Sequence, residues 1–316
     1  MTDPRAVAEQ LVARVTGGVT TDASLAPFTT FRVGGPADVL VDAESEDDLR
    51  AVAELRGDLD VTIVGRGSNL LVSDEGFRGI AVRLGRAFRD HAADGSNLRL
   101  GGAVHLPAAA RLTSRLGLAG FEFAAEIPAT FGGAVRMNAG AHGRSIADVL
   151  VSARVVDLSS GDARDVAVDD LAYGYRHSNL DPRDVVTAGV LHLEPGDGKE
   201  IGRRIAGFLR WRRDNQPPGR SAGSVFKNPP DDSAGRLIDA AGGKGMRVGG
   251  AEVSPRHANF IVVDPAGSTA SDVWTLIVRL RELVHAHAGI VLEPEVRFLG
   301  VFPGGEQVEV EVEGSG

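Results

Sequence analysis

The chain has 316 residues with 43% hydrophobic and 24% charged residues, which is the composition of an ordinary globular protein large enough for two or three packed units. Its formal net charge of −9 argues against a general nucleic-acid surface, and its lack of cysteine excludes disulfides, thiolate catalysis and cysteine-ligated metals. No apolar run approaches the roughly 20 residues of a membrane span and the N-terminus has no signal-peptide core, so a cytoplasmic location is expected.

The first part of the chain predicts a helix followed by a β-α-β unit. Apolar residues at helical spacing predict an amphipathic helix over 3–17, and a strand is expected near 39–41. Ser45 and Asp48 form the pattern of a capping box for the next helix. The segment DVTIV, at 60–64, reads as the buried strand that closes the unit.

The motif GRGSN, residues 65–69, follows that strand. It resembles the dinucleotide-binding fingerprint only superficially, because Leu70 occupies the third glycine position and LLVSD continues as extended chain. Backbone N–H groups with a hydroxyl and an amide side chain nevertheless suit a pyrophosphate without a Rossmann fold. A plain tight turn is the alternative that this motif leaves open.

The next elements are strands at 77–85 and 97–106 and a helix at 107–118, and they lead to the segment IPATFGGAVRMNAGAHG, residues 127–143. Because this segment is rich in alanine and glycine, we do not expect it to bury large side chains. We therefore expect its backbone to be used, since glycine lets a ligand approach closely and consecutive N–H groups suit phosphate oxygens. A packing seam of small residues between two layers is the alternative interpretation.

The second half predicts further alternation of strands and helices. Its expected elements are a hairpin at 152–168, a strand at 184–195, helices at 198–213, 234–242 and 272–287, strands within 257–264 and at 290–300, and an acidic tail at 304–316. Both tyrosines of the protein fall in DDLAYGYRHSNL, residues 169–180, close to Arg176, which favours a ligand-facing site there. Prolines 217 and 218 mark a natural domain boundary.

Candidate chemistry rests on polar residues inside apolar or glycine-rich runs. No metal-ligand spacing, G-x-S-x-G elbow or Walker loop occurs in the sequence. Glu295, in VLEPEVRFL, must be paired, ligand-facing or neutral if it faces an interior, and a solvent-exposed edge position is the alternative. Ser224 precedes Lys227 by three residues, which permits either a polarised hydroxyl or an ordinary surface loop.

A set of motifs in a fixed order carries a family resemblance. The motifs are TTFRVGGPA (29–37), VGRGSNLLV (64–72), IPATFGGAVRMNAGAHG (127–143), YGYRHS (173–178), SAGSVFKNP (221–229), AGGKGMRVGGAEVS (241–254), HANFIVV (257–263) and LEPEVRF (292–298). They resemble those of the UDP-N-acetylenolpyruvoylglucosamine reductases, flavoenzymes that complete UDP-N-acetylmuramate for peptidoglycan. The resemblance extends from about residue 25 to residue 300. Singly the glycine motifs are weak, but the ordered set is specific.

The resemblance implies an α+β protein with an FAD-binding fold of the vanillyl-alcohol-oxidase/p-cresol-methylhydroxylase type in two subdomains, followed by an α+β substrate domain. The implied division is an N-terminal helix at 1–24, an FAD-binding domain at 25–196 with subdomains split near 85, a substrate-binding domain at 197–303 and the tail at 304–316. No tyrosine occurs between Arg176 and Arg212, so the chain is similar to the shorter subclass without a tyrosine-bearing lid.

The same resemblance assigns roles residue by residue. Arg176, Ser224 and Glu295 correspond to the catalytic group. The residues expected to bind FAD are Gly65, Arg66, Gly67, Ser68, Asn69, Thr130, Gly132, Gly133, Asn138, Gly140, Ala141 and Gly143. Those expected to bind the UDP-sugar or NADPH are Tyr175, Lys227, Asn228 and His257, and no metal is expected.

The implied reaction transfers hydride from NADPH through FAD to the enolpyruvyl β-carbon. Arg176 would stabilise the charge that develops on the substrate carboxylate, Ser224 would protonate the α-carbon, and Glu295 would orient substrate or assist protonation. The expected partners are small molecules, with no nucleic acid and no membrane, and a monomer is expected.

Three positions depart from the family pattern. The family usually has GIPGT where this chain has Glu126 to Thr130, so Glu126 and Ala129 replace glycines, and an aromatic residue is common at the position of His142. These departures keep two other functions open. One is a related flavin oxidase acting on an alcohol or sugar, and the other is a flavin or nucleotide-sugar binder without catalysis.

Overall fold

The computed structural model describes residues 2–303, so the predicted acidic tail lies outside the described residues. The chain divides into two compact units. The first contains the chain up to Asp22 together with Asp38–Arg66 and Gly79–Asp214. The second contains Ala23–Ala37, Gly67–Arg78 and the chain from Asn215 onward. The functional division at residues 24, 85 and 197 that the sequence suggests stays a prediction.

The helices and strands alternate along most of the described chain. The helices are α1 (Pro4–Val12), α2 (Glu46–Leu55), α3 (Leu106–Leu116), α4 (Phe131–Arg136), α5 (Gly198–Asn215), α6 (Ala234–Ala240) and α7 (Ala270–Ala288). The strands are β1 (Gly18–Ser24), β2 (Pro36–Ala43), β3 (Val61–Ile63), β4 (Leu70–Val72), β5 (Phe77–Leu84), β6 (His91–Asp94), β7 (Asn97–Gly101), β8 (Leu118–Ala119), β9 (Gly140–Ala141), β10 (Arg144–Ser145), β11 (Leu150–Asp157), β12 (Ala163–Ala167), β13 (Asp184–His192), β14 (Glu194–Pro195), β15 (Arg247–Val248), β16 (Ala251–Val253), β17 (Ile261–Val263) and β18 (Arg297–Leu299).

The first unit is built on two sheets. One has the strand order β1-β2-β5-β3, with β3 and β5 parallel. The other is antiparallel in the order β12-β11-β13-β7-β6. A core around Phe121 and Phe131 joins the second sheet to α3, α4 and α5, and a separate core around Leu49 and Ile80 lies between α2 and the first sheet. The predicted hairpin is confirmed as β11 and β12.

The N-terminal helix is shorter than its apolar periodicity suggests. It ends at Val12, and the segment from Gly18 forms strand β1 instead, so the expectation of one helix over 3–17 is wrong at its C-terminal end. Gly17 marks the change. A Cβ at this position would lie 1.7 Å from the carbonyl oxygen of Asp42, so only glycine permits the close approach of these backbones.

The start of α2 is capped as predicted, but its capping box is not reciprocal. The Ser45 hydroxyl accepts a 3.1 Å hydrogen bond from the Asp48 amide. The Asp48 carboxylate, whose residue is 1% exposed, accepts instead from the amides of Thr16 and Glu44. Burial raises the pKa of Asp48, but these bonds together lower it below its usual value. A local sequence pattern cannot show that second set of partners because Thr16 is distant in the sequence.

The second unit has its own core between α6, α7 and the antiparallel sheet β15-β16-β17. Helix α7 begins at Ala270 with the Thr269 hydroxyl as its cap, two residues before the start predicted at position 272. The final strand is shorter than the expected 290–300, because only Arg297–Leu299 pairs, parallel to β4. The residues before it form an isolated bridge between Phe226 and Pro294.

Candidate active site

In the first unit, the segment 127–143 is partly helical, because residues 131–136 form α4 behind a Thr130 cap whose hydroxyl accepts the Gly133 amide. Its glycines occupy two kinds of position, one tightly packed and one open. A Cβ at Gly132 would lie 2.7 Å from the carbonyl oxygen of Val186, so this position closes a packing seam. Gly143 has a φ of +75° and has nothing within 4 Å of a built Cβ, so it leaves open space beside the backbone. The packing-seam interpretation therefore holds at Gly132, while the use of the segment's backbone by a ligand stays a prediction. Phe131 is fully buried, so the expectation that the segment buries no large side chain is wrong at this residue.

The GRGSN loop begins next to the cap of α4. A Cβ at Gly65 would lie 2.8 Å from the Thr130 hydroxyl oxygen, which brings the loop and the glycine segment together within the first unit. The chain passes into the second unit between Arg66 and Gly67. On the first-unit side, the backbone amides of Gly65 and Arg66 donate to no acceptor among residues 2–303. Consecutive unpaired amides of this kind fit the oxygens of an anionic group such as a pyrophosphate.

His105 belongs to the same region, although its sequence context did not single it out. It forms an isolated antiparallel bridge with Thr130 and is the N-cap residue of α3. Burial lowers its pKa, and the charges of Arg66 and Arg89 lower it further. A neutral imidazole next to two arginines follows from this environment. In the sequence, His105 stands directly before Leu106 and Pro107, where α3 begins, and this position is the feature that could have indicated it.

Arg176 lies in a tight turn of the first unit, where Gly174 and His177 form a bridge. Its backbone has a φ of +56°, which is unusual for a residue with a Cβ. Its guanidinium donates to the carbonyl oxygen of Gly140 at 3.4 Å and lies 5.2 Å from the ring centroid of Tyr175, which is 58% exposed. The structure therefore brings the Arg176 guanidinium to the glycine segment, with the exposed Tyr175 ring beside the guanidinium.

The side chains on either side of Arg176 hydrogen-bond to α4. The Tyr173 hydroxyl donates to the carbonyl oxygen of Val135 at 2.8 Å, and the Ser178 hydroxyl donates to that of Arg136 at 2.6 Å. Burial raises the pKa of Tyr173, so its phenol remains a donor. Asn138 also has both ends of its amide engaged, since it donates to Gly174 and accepts from the Ala147 amide. Its predicted contact with FAD stays a prediction.

The second unit brings Ser224 and Glu295 together. Ser224 forms an isolated bridge with Phe260, and the Glu295 amide donates to the carbonyl oxygen of Val225 at 2.8 Å. Asn69 donates its side-chain amide to the carbonyl oxygen of Glu295 at 2.8 Å. Within the described residues the Ser224 hydroxyl has no hydrogen-bond partner, so its proton is available for a ligand.

Two of the predicted substrate-binding residues, Lys227 and Asn228, lie three and four positions after Ser224. The Lys227 ammonium is paired with the carboxylate of Glu293, and its backbone amide donates to the carbonyl oxygen of the same residue. The Asn228 side-chain oxygen accepts the Ala234 amide at 3.1 Å. Both side chains thus have partners in the structure, and an anionic ligand at Lys227 would compete with Glu293.

His257 is neutral in its surroundings. Its Nδ1 accepts a hydrogen bond from the Asn259 amide at 3.3 Å, which leaves Nε2 as the protonated nitrogen. Burial is the largest influence and lowers its pKa, and the charge of Lys244 acts in the same direction. We therefore expect His257 to recognise a ligand as a neutral hydrogen-bond donor and not as a positive charge.

The three residues that depart from the family pattern lie in the first unit, and two of them, Glu126 and His142, are in contact. Glu126 is 7% exposed, and its carboxylate lies 2.8 Å from Nε2 of His142. The His142 ring stacks on Phe208 of α5 at a centroid distance of 4.1 Å, and the Arg212 guanidinium donates to the carbonyl oxygen of Glu126. Neither Glu126 nor Ala129 has a positive φ. The two replaced glycines are therefore not required for the backbone path. Of the Glu126 carboxylate oxygens, Oε1 has His142 as its partner, and the buried Oε2 has none among the described residues.

Comparison with known proteins identifies the family. The model of the C-terminal domain of UDP-N-acetylenolpyruvoylglucosamine reductase matches residues 215–299, and that of an FAD binding domain matches residues 37–167. The reductase 2 of Symbiobacterium thermophilum is 43% identical over 94% of this chain and 98% of its own length. The reductase of Heliobacterium modesticaldum is 44% identical over 86% of this chain and 88% of its own length. The crystal structure of the Thermus caldophilus reductase has a TM-score of 0.78 at 37% identity, covering 90% of this chain and 99% of that one.

The chain belongs to the UDP-N-acetylenolpyruvoylglucosamine reductase family. The predicted family and the FAD-binding α+β fold are confirmed. The chain is an FAD-dependent oxidoreductase that acts on small molecules. Within residues 2–303, no cluster of histidine and acidic side chains could hold a metal ion. In that same part of the chain, every helix is too short or too polar to cross a membrane.

Proposed function

We propose that this chain reduces UDP-N-acetylglucosamine enolpyruvate to UDP-N-acetylmuramate for peptidoglycan synthesis, with NADPH as co-substrate, and that Arg176, Ser224 and Glu295 act on the enolpyruvyl group. The reductase activity is that of the family to which the chain belongs. The roles of the three residues are our assignment. The observation that supports them best is the hydrogen bond from the Glu295 amide to the carbonyl oxygen of Val225, the residue after Ser224, although Glu295 lies 71 positions after Ser224 in the sequence.

FAD fits the first unit at the start of the GRGSN loop. The unpaired amides of Gly65 and Arg66 and the close approach of Gly65 to Thr130 suit a pyrophosphate, and Gly143 leaves open space beside its backbone. We assign the other predicted residues of the loop and of the segment 127–143 to the same cofactor. When bound, FAD supplies the hydride chemistry between NADPH and the enolpyruvyl double bond.

Arg176 is suited to the charge that develops on the substrate. Its guanidinium is planar, permanently charged and able to bridge both oxygens of a carboxylate. Reduction of the β-carbon moves negative charge onto the α-carbon and the carboxylate, and a cation fixed beforehand stabilises that state more than it stabilises the ground state. The contacts of Arg176 with Gly140 and Tyr175 limit how far the guanidinium can move.

Ser224 is assigned as the proton donor to the α-carbon. A serine hydroxyl is a weak acid, so the role requires a fixed geometry and a strongly basic carbon. The bridge to Phe260 supplies a fixed backbone, and the hydroxyl has no competing partner among the described residues. We assign Glu295 to orient the substrate or to assist the protonation by Ser224.

The assignments of cellular context and ligand contacts extend this proposal. We place the enzyme in the cytoplasm as a monomer that uses neither nucleic acid nor membrane as a partner. Tyr175, Lys227, Asn228 and His257 are assigned to the UDP-sugar or NADPH, with His257 as a neutral donor. Residues 25–196 are assigned to FAD and 197–303 to the substrate.

The test begins with the absorbance spectrum of the purified full chain, which we expect to be yellow with FAD that acid precipitation releases. NADPH should bleach the flavin band under anaerobic conditions, and enolpyruvyl UDP-N-acetylglucosamine should restore it. Oxygen restoring the band faster than this substrate would favour a flavin oxidase. A colourless protein that takes up no added FAD would overturn the proposal.

Ser224→Ala separates the assigned role from a structural one. Bleaching by NADPH needs no proton donor at the substrate carbon, so we expect its rate to stay near that of the wild type. Recovery with substrate should slow on the order of 10²–10⁴-fold, the usual effect of removing a positioned acid. Recovery at the wild-type rate with saturating substrate would show that Ser224 is not the donor.

A further inference from the structure

The turn that carries Arg176 is held by side chains that the proposed chemistry does not use. We propose that Tyr173 and Ser178 are positioning residues, whose hydroxyls fix the backbone of Arg176 by binding the last turn of α4. This inference rests on the proposed role of Arg176. It concerns the first unit alone, because all the residues involved belong to Gly79–Asp214.

The first support is the backbone conformation of the turn. Arg176 has a φ of +56° and Ala172 a φ of +43°, so two residues with a Cβ adopt the left-handed region within five positions. Such conformations are unfavourable for these residue types and persist where the surroundings determine them more than once. The Gly174–His177 bridge is a local closure of the turn, and it does not by itself tie the turn to the rest of the unit.

The second support is the pair of hydroxyl contacts that brackets the turn. Tyr173 precedes Arg176 by three residues and Ser178 follows it by two, and their hydroxyls reach the carbonyl oxygens of Val135 and Arg136 at 2.8 and 2.6 Å. The final carbonyl groups of a helix lack the intrahelical amide partner of the interior ones and can accept such contacts, and the Val135 oxygen accepts the Asn138 amide at 3.3 Å as well. The turn is therefore attached to α4 on both sides of Arg176.

Asn138 adds a third attachment from the chain that follows α4. Its side-chain amide donates to the carbonyl oxygen of Gly174 at 3.0 Å while its oxygen accepts the Ala147 amide at 3.0 Å. The Arg176 guanidinium itself reaches Gly140, two residues further on. The turn that carries Arg176 and the guanidinium itself are thus hydrogen-bonded to the same short stretch of chain, residues 135–140.

The test uses Tyr173→Phe and Ser178→Ala, each of which removes only a hydroxyl, in the FAD-loaded full chain. Bleaching by NADPH should remain within about twofold of the wild type, because the guanidinium of Arg176 is assigned no part in it. Recovery with saturating enolpyruvyl UDP-N-acetylglucosamine should slow about tenfold, because a displaced catalytic group costs rate even when it is retained. Ser178→Thr keeps a hydroxyl and should restore most of the recovery rate.

Asn179→Ala is the matched control. Asn179 lies in the same segment, but its side chain donates to the carbonyl oxygen of Asp170 at 2.8 Å and not to α4. Its loss should lower the melting temperature slightly without a selective effect on recovery. If Tyr173→Phe and Ser178→Ala behave like this control, or slow both half-reactions equally, the two hydroxyls are structural only and the inference is wrong.

Arg176→Lys distinguishes failure of this inference from failure of the proposed function. If Arg176→Lys slows recovery but the two hydroxyl variants do not, only the positioning role is overturned. If Arg176→Lys recovers at the wild-type rate, the assigned role of Arg176 fails and the positioning role fails with it. Should Tyr173→Phe not fold, Ser178→Ala with its threonine rescue decides the question alone.

Discussion

Arg176 and Ser224 are fixed in their units by opposite means. Ser224 lies in extended chain whose neighbours pair through backbone groups, since Val225 donates to Asn259 and accepts from Glu295. Arg176 lies at a φ of +56° in a turn that side-chain hydroxyls tie to a helix. Backbone pairing survives most substitutions, whereas a hydroxyl contact is lost with one atom. We therefore expect neighbours of Arg176 to influence its chemistry more than neighbours of Ser224 influence theirs.

The largest effect should come from Arg176→Lys. A lysine keeps the charge but cannot bridge two carboxylate oxygens with two parallel N–H bonds. Recovery of the flavin band with substrate should fall by about 10²–10³-fold, the range for a lost transition-state donor. Stopped-flow absorbance measures it, and an unchanged rate of NADPH bleaching is the internal control.

Asn259→Ala tests the support of the Ser224 segment. In this segment the Asn259 side chain, and not another backbone, pairs with the backbone of Phe226. The buried Asn259 amide donates to the Phe226 carbonyl oxygen at 2.8 Å and its oxygen accepts the Phe226 amide at 2.9 Å. Two buried backbone groups would lose their partners, so the free energy of unfolding should fall by about 2–4 kcal/mol. Urea denaturation measures this.

The control for Asn259→Ala is Asn97→Ala. Asn97 is an exposed asparagine whose side chain contacts His192. Its replacement should change the free energy of unfolding by no more than about 0.5 kcal/mol. Equal losses in both variants would show that the buried amide of Asn259 adds nothing to the support of the Ser224 segment.

His142→Phe tests whether the buried Glu126 carboxylate needs the His142 imidazole as its partner. Phenylalanine can keep the stacking on Phe208 but leaves the Glu126 carboxylate without the 2.8 Å contact. The free energy of unfolding should fall by about 2 kcal/mol, less than for a fully buried ion pair because His142 retains some exposure.

The double variant Glu126→Gln, His142→Phe completes a cycle for this pair. Because no charge is then left buried, its loss should be smaller than the sum of the two single losses. Additive losses would mean that Glu126 and His142 are independent. FAD affinity, measured by flavin fluorescence, should change little in any of the three variants, since both side chains contact the protein.

The smallest effect concerns the pH dependence of stability. The pKa of His257 is lowered in the folded chain. As the pH falls below the ordinary histidine value of about 6.5, the unfolded chain therefore takes up a proton at His257 before the folded chain does. The contribution of His257 is therefore complete above that pH and is lost as the pH falls. His257→Gln should flatten this part of the curve of unfolding free energy against pH, and an unchanged curve would contradict the prediction. His105 has the same sign and leaves a residual slope.

The sequence predicts the family through the order of its motifs, and it predicts many of the helices and strands through local apolar periodicity. The helices around Leu49, Leu106 and Ile277 follow from apolar spacing and caps, and the structure contains all three. The Glu126–His142 contact was not accessible, since it depends on how the chain folds back over sixteen positions. In the sequence each residue appeared separately as a departure from the family pattern, and only the fold shows that they compensate each other.

The glycine segment shows the same limit in another form. Its composition indicated backbone use but could not assign the use glycine by glycine. A Cβ at Gly132 would collide with Val186 whereas one at Gly143 would meet open space, and the first of these results depends on a strand distant in the sequence. The hydroxyl contacts of Tyr173 and Ser178 were hidden for the same reason, because their acceptors belong to α4.

The interleaved construction of the second unit sets the order in which the protein can be made. Strand β4 pairs with β18, so residues 70–72 have no partner until residues 297–299 leave the ribosome. The first unit has all its segments once Asp214 has emerged, while Ala23–Ala37 and Gly67–Arg78 must wait. At about 5–20 residues per second, synthesis of the missing hundred residues takes roughly 5–20 s. During that interval Phe31 and Leu71, both fully buried in the finished protein, are exposed in the nascent chain and are natural sites for chaperone binding.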